Sequence, residues 1–275
     1  MGSILTLSLL PFSTKAQEET DEDLPFLKSD YLYEYLREVK TSMGGKVVSE
    51  TKMETTYDDN NHITSMITTT NGAKTMEMID YEYGDKTRSN ATNMYMNGQK
   101  MMTMKTNSSF ADDIYRNMTV NETETEQMGN KSKQRNEWTY DEQGRIIGMK
   151  QFLNGDLQLE QINYEWTPNS CTYEEIQYLP MKSTKKVSKQ FKDDHYIQNI
   201  LEIHKTDMNG VKMESRSEWT YDDNGNMTSY KNFQNDQLSM EWKDFSWGDK
   251  KSSHTEIMYM NGNPTTTAEV KQYYK

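Results

Sequence analysis

Residues 211–226 read VKMESRSEWTYDDNGN, and the first eleven of them decide the fold class. Val211, Met213, Ser215, Ser217, Trp219 and Tyr221 alternate with Lys212, Glu214, Arg216, Glu218 and Thr220. A period of two puts apolar or small side chains on one face and charges on the other, the pattern of a β-strand. The run stops at Asp222-Asp223-Asn224-Gly225, where Asp can cap turn amides and Gly can take the bend. Residues 131–140 repeat the pattern, with Lys131, Lys133, Arg135 and Glu137 opposite Trp138 and Tyr140.

The likeness extends well beyond these strands. Asp112 through Tyr140 aligns without a gap onto Asp193 through Tyr221, at an offset of 81, and an earlier copy offset by 83 ends at Tyr57. Three units follow, 30–112, 113–193 and 194–275, each about 82 residues long. Each divides again. Tyr57, Tyr83, Phe110, Tyr140, Trp166, Phe191, Tyr221 and Trp247 each precede a turn residue at intervals of 25 to 30. Between them stand Gly44-Gly45, Asn71-Gly72, Asn97-Gly98, Gly129-Asn130, Asn154-Gly155, Asn209-Gly210 and Asn261-Gly262. Leu179-Pro180 and Asn235-Asp236 fill the same slots. Asn-Gly accepts the two positive φ angles of a type I′ turn, so each pair marks a hairpin.

These signals predict an all-β chain: a long antiparallel meander of about eighteen strands from nine hairpin units of ~27 residues. Drawn as an open sheet at ~4.8 Å per strand it is ~85 Å wide, and open sheets of that size coil. The expectation is therefore an elongated twisted sheet, with a β-propeller as the alternative. Its unpaired edges predict edge-to-edge self-association. An outer-membrane barrel needs a lipid-facing apolar band, and faces bearing Lys, Glu and Arg beside faces of Ser and Asn supply none. No membrane span is expected on that ground.

Composition agrees with a high surface-to-core ratio. Only 33% of the 275 residues are hydrophobic, and mean hydropathy is −1.02. The apolar character rests on 21 Met and 18 Tyr, both at ease in half-exposed positions. A net charge of −12 without a basic stripe argues against nucleic-acid binding. Residues 1–16, with the apolar run ILTLSLLPF at 4–12, look like a secretory signal or its remnant, and 17–29 form an acidic leader. The predicted address is therefore exported: periplasm, cell surface or extracellular space. Cys171 is the only cysteine, which excludes an intrachain disulfide and a lipid-anchored Cys at the signal junction.

The Tyr-Asp-x-x-Gly turns resemble the YD/RHS-type and MORN-like hairpin repeats of exported bacterial proteins. WTYDEQGRIIGMKQFLNG at 138–155 and WTYDDNGNMTSYKNFQND at 219–236 carry the likeness, and YDDNNHITSMITTTNG at 57–72 is a weaker copy. The resemblance covers most of 30–275 and implies a β-hairpin array outside the cytoplasm, in a family of unknown function. It supplies no catalytic residue.

Candidate chemistry is sparse. Asp222-Asp223-Asn224-Gly225-Asn226 has Gly fourth and lacks the distal Glu of an EF-hand loop, so it reads as a turn. His62, His195, His204 and His254 fall at unequal repeat positions and show no zinc spacing. Cys171 also lacks a repeat counterpart and reads as an inert thiol. No phosphate loop, nucleophile elbow or metalloprotease motif is present in the sequence. No catalytic residue, metal or cofactor is expected. The remaining signal is aromatic. Tyr57, Tyr140 and Tyr221 share one repeat position, and Trp138 and Trp219 another. A ladder of them could stack on sugar rings or a protein partner, or simply fix strand register. The expected function is an exported non-enzymatic binding or scaffolding module for a surface glycan or protein. A structural element of a cell-envelope assembly comes second, and a hydrolase of extracellular carbohydrate third.

Overall fold

The computed structural model describes residues 33–112, 117–179, 182–193, 196, 198–208 and 210–275. The expected signal and leader, residues 1–29, lie outside the described residues, as do Pro180, His195 and Asn209. Eighteen strands fill nearly all of the rest. The first unit holds β1 (Glu34–Met43), β2 (Lys46–Tyr57), β3 (Ile63–Thr70), β4 (Ala73–Gly84), β5 (Thr87–Met96) and β6 (Gln99–Phe110). The second holds β7 (Met118–Gln127), β8 (Asn130–Tyr140), β9 (Ile146–Leu153), β10 (Asp156–Thr167), β11 (Ser170–Gln177) and β12 (Ser183–Phe191). The third holds β13 (Asn199–Met208), β14 (Val211–Tyr221), β15 (Met227–Gln234), β16 (Gln237–Gly248), β17 (Lys251–Met260) and β18 (Asn263–Tyr274).

Every strand pairs antiparallel with its sequence neighbours, from β1–β2 through β17–β18. The decisive pairing is the eighteenth, β18 back onto β1, with Val270 opposite Val39 and Gln272 opposite Arg37. The sheet is a closed barrel. That corrects the expected open, elongated sheet, and its propeller alternative as well, because no group of strands separates into a blade. It also removes the predicted edge-to-edge association, since the two edge strands satisfy one another. The expectation of no membrane span falls with the open sheet. A closed barrel pairs its strands all the way round, the condition under which strands can cross a bilayer. Among the described residues no helix is long and apolar enough to cross a membrane, which says nothing about strands.

Alternate residues face opposite sides, and the two sides differ in crowding. Val187 is 0% and Cys171 1% exposed, and they share a face with Tyr173 and Phe191. Their strand neighbours on the other face, Lys186 and Gln190, are exposed. A concave wall crowds its side chains, so the face of Val187 is the inner one. The outer face carries charge ladders: Lys40–Glu50 at 3.1 Å, Lys133–Glu122 at 3.2 Å, Arg135–Glu122 at 2.7 Å and Lys205–Glu214 at 3.5 Å. Exposed pairs of this kind contribute at most ~1 kcal/mol each. They set register and polarity more than stability.

Turn chemistry follows the sequence reading closely. Asn71-Gly72, Asn97-Gly98, Asn154-Gly155 and Asn261-Gly262 all hold positive φ at both residues. One turn is shifted: Met128 and Gly129, not Gly129 and Asn130, occupy the bend, with φ of 49° and 82°. At the opposite rim the Asp turns are built alike. Asp222 Oδ1 accepts from the amides of Asn224 at 2.9 Å and Asn226 at 2.8 Å, and Asp141 Oδ1 from those of Gln143 and Arg145. The carboxylates are thus committed to the turn. Burial pushes the Asp222 carboxyl up, but the bonds from Asn226 and Asn224 outweigh it and hold it below its ordinary range.

One device was illegible in the alternation. Asp80, Asn163 and Asp244 hold equivalent positions and φ of 54°, 56° and 56°. The register jumps there, between Ile79 and Glu82, Ile162 and Glu165, and Lys243 and Ser246. Each is a β-bulge that changes the parity of its strand. Met76 and Met78 face inward before the bulge and Tyr81 and Tyr83 after it; Met240 and Trp242 are followed in the same way by Phe245 and Trp247.

Candidate binding surface on the inner wall

The last aromatic of every even-numbered strand points inward at one rim. The set is Tyr57, Tyr83, Phe110, Tyr140, Trp166, Phe191, Tyr221, Trp247 and Tyr274, the last being a ninth member that has no following turn to announce it. Six of them reach back to the first carbonyls of the preceding strand. Tyr57 Oη donates to Glu34 O at 2.8 Å, Tyr83 to Ile63 O at 3.0 Å, Tyr140 to Met118 O at 2.7 Å and Tyr221 to Asn199 O at 3.0 Å. Trp166 Nε1 donates to Ile146 O and Trp247 Nε1 to Met227 O, both at 2.9 Å. Burial pushes the Tyr83, Tyr140 and Tyr221 hydroxyls up to about 12, so they stay protonated donors. Each of these bonds clamps the open end of its own hairpin.

Of the five residues singled out by the sequence, three therefore belong to the collar: Tyr57, Tyr140 and Tyr221. Trp138 and Trp219 sit two residues before the last two, on the same inner face. The five do not make one ladder. Tyr57 is on β2, Tyr140 on β8 and Tyr221 on β14, six strands apart in a ring of eighteen, so closure spaces the copies by a third of the circumference.

Trp219 alone gains a continuous aromatic neighbourhood. Its register partner is Tyr230 on β15, whose partner is Trp242 on β16. Ring centroids are 5.2 Å apart for Trp219–Tyr230 and 4.7 Å for Tyr230–Trp242, tilted by 44° and 50°. Trp242 continues to His254 at 5.5 Å, and His254 stacks on Phe245 at 4.9 Å. Among the described residues the Trp242 indole N–H is buried without an acceptor. The equivalent row in the second unit is Trp138, Met149 and Gln161, and in the first Thr55, Met66 and Met78. Neither Tyr230 nor Trp242 precedes a turn, so the turn punctuation of the sequence does not mark them. The same offset of 81 that relates Trp138 to Trp219 would have located both as departures from Met149 and Gln161.

Next to this row lies a polar row. Asn232 Nδ2 donates to Ser217 Oγ at 2.9 Å, Gln234 Nε2 to Ser215 Oγ at 2.9 Å, and Ser239 Oγ to Asn232 Oδ1 at 2.6 Å. Ser217 Oγ also lies 3.4 Å from Tyr230 Oη. A recess in the wall runs from these residues to His204 and Lys185. There the seam between the second and third units turns ionic: Lys185 pairs with Glu175 at 2.6 Å, Lys189 with Glu202 at 3.4 Å, and His204 with Glu202. The inner wall thus carries three chemistries: thioether in the first unit, ionic where the second meets the third, and aromatic in the third.

The remaining sequence candidates are accounted for locally. Cys171 is enclosed beside Tyr173, Val187 and Phe191, and burial pushes its thiol up to about 11. His62 stacks on Tyr83 at 4.3 Å and lies 3.4 Å from Asp58. Among the described residues no three His, Cys, Asp or Glu side chains group to hold a metal ion.

No protein-family model matches this chain, and no curated protein matches it. Among solved structures, a porin-like protein from Bacteroides uniformis is similar to it over 88% of this chain and 98% of its own length, at 8% identity and a TM-score of 0.46. A mutant Rh. blastica porin is similar over the same shares, at 6% identity and a TM-score of 0.26.

Proposed function

We propose that this is an exported barrel protein that binds a neutral, ring-bearing polar solute of the carbohydrate class on its inner wall. The observation that carries the reading is the Trp219–Tyr230–Trp242 row with its flanking amides and hydroxyls. Sugar rings present C–H faces that stack on aromatic rings and hydroxyls that exchange hydrogen bonds with Asn, Gln and Ser. The row supplies the first, and Ser217, Asn232 and Gln234 supply the second. Access is consistent with the geometry. Eighteen strands at ~4.8 Å and a tilt of ~40° close a circular barrel at a radius of roughly 18 Å, too wide for side chains to fill.

A glycan array probed with the full chain tests the reading. Binding that falls about thirtyfold in Trp242→Ala, the ~2 kcal/mol expected of an anchoring aromatic, supports it. Silence across the array, or binding indifferent to Trp219→Ala and Trp242→Ala in a folded protein, overturns it. A second reading, a conduit or wall element of an envelope assembly, is favoured by the closed lumen itself. Passage of neutral sugars that survives both substitutions would select it.

A further inference from the structure

The inner wall of the first unit is built of thioethers. Two adjacent rows cross β3 to β6. One runs Thr68, Met76, Met94, Met102, and the other Met66, Met78, Thr92, Met104. Six of these eight positions are methionine. Met66 is 8% and Met94 39% exposed, so the patch is anchored in the wall and open to the lumen.

The repeats provide an internal control on why. Met102 corresponds to Ser183 and Thr266, Met104 to Lys185 and Ala268, Met94 to Gln177 and Met258, and Met78 to Gln161 and Trp242. The same strand pairing is therefore built with ammonium, amide, hydroxyl or indole at these sites, and does not itself require sulfur. What six thioethers share is soft, uncharged donor chemistry with no protonation to lose in the working pH range. Register partners on neighbouring strands stand about 4.5–5.5 Å apart at Cβ, and three rotatable bonds per side chain let sulfurs from consecutive strands converge. Thioether ligands select soft d10 monovalent cations over hard or borderline divalent ones. The net charge of −12 favours cation entry.

We propose that the inner face of β3–β6, centred on Met76, Met94 and Met102, is a binding site for a soft monovalent cation of the Cu(I) type. It is independent of the carbohydrate reading, which rests on β14–β16 of the third unit. The test is calorimetric titration of the full chain carrying Cys171→Ser with Ag(I), in chloride-free buffer, against the same protein with Met76, Met94 and Met102 changed to Leu. Leu conserves volume and apolarity, so the variant should fold; Met94→Leu alone serves if it does not. The expected result is saturable Ag(I) binding that weakens at least tenfold in the Leu variants and is not displaced by Zn(II). Absence of saturable binding, or equal affinity in folded Leu variants, overturns the proposal.

Discussion

The hydroxyl of Tyr140 donates to the carbonyl oxygen of Met118 at 2.7 Å, joining the last residue of β8 to the first of β7. Five other collar aromatics make the same backward bond, across 20 to 23 residues. Tyr140→Phe keeps the ring and deletes the bond. It should cost about 1 kcal/mol, the net value of one such hydrogen bond, read as a lowered urea midpoint with unchanged slope. An unchanged midpoint would mean that the collar acts through ring packing alone.

Met128 holds φ of 49° at a turn and is 73% exposed. An unbranched L-residue in the left-handed region bears a strain of about 1 kcal/mol that Asn bears less. Met128→Asn, recreating the Asn-Gly pair of the other hairpins, should raise stability by ~0.5–1 kcal/mol. Thermal melting of the two proteins side by side decides it.

The bulges make a sharper test. Asn163→Gly keeps positive φ accessible and should leave the melting temperature near that of the parent, whereas Asn163→Val should lose about 2 kcal/mol. Deleting Asn163 removes the extra residue and restores strict alternation with Tyr164 and Trp166 still inward. Retention of the near-ultraviolet aromatic signal is the expected consequence, and its loss would show that the bulge does not set parity.

Acid should weaken the outer wall at one identifiable place. Hydrogen bonds from Lys74, then Tyr95 and Asn93, hold the Glu77 carboxyl at about 2, against an ordinary 4.5. A folded-state value below the unfolded one gives stability that is present above pH ~4.5 and lost as pH falls towards ~2. The difference in urea midpoint between the parent and Glu77→Gln should therefore be largest near neutrality and shrink through that window. A gap that stays constant from pH 7 to pH 2 would contradict the assignment.

Cys171 should resist iodoacetamide at pH 8 in the folded protein, because its thiol is enclosed and pushed up to about 11. Rapid alkylation without denaturant would show that the Val187–Phe191 cluster opens.

The sequence by itself determined the strands, the turns and the threefold repeat, and for a local reason. Alternation such as Val211–Tyr221 and a pair such as Asn97-Gly98 state their conformation within a dozen residues. Aromatic positions beside turns, Tyr57, Tyr140 and Tyr221, were legible because repetition marked them. Tyr230, Trp242 and the thioether rows were not, because mid-strand residues acquire meaning only from the strand they face. Closure was decided by tertiary structure alone. Val39 meets Val270 through a pairing that no local pattern encodes, between strands at opposite ends of the described chain. That single pairing turned two exposed edges into a continuous wall. It made one face concave and inner, and set three copies of one repeat around a common lumen as three different surfaces.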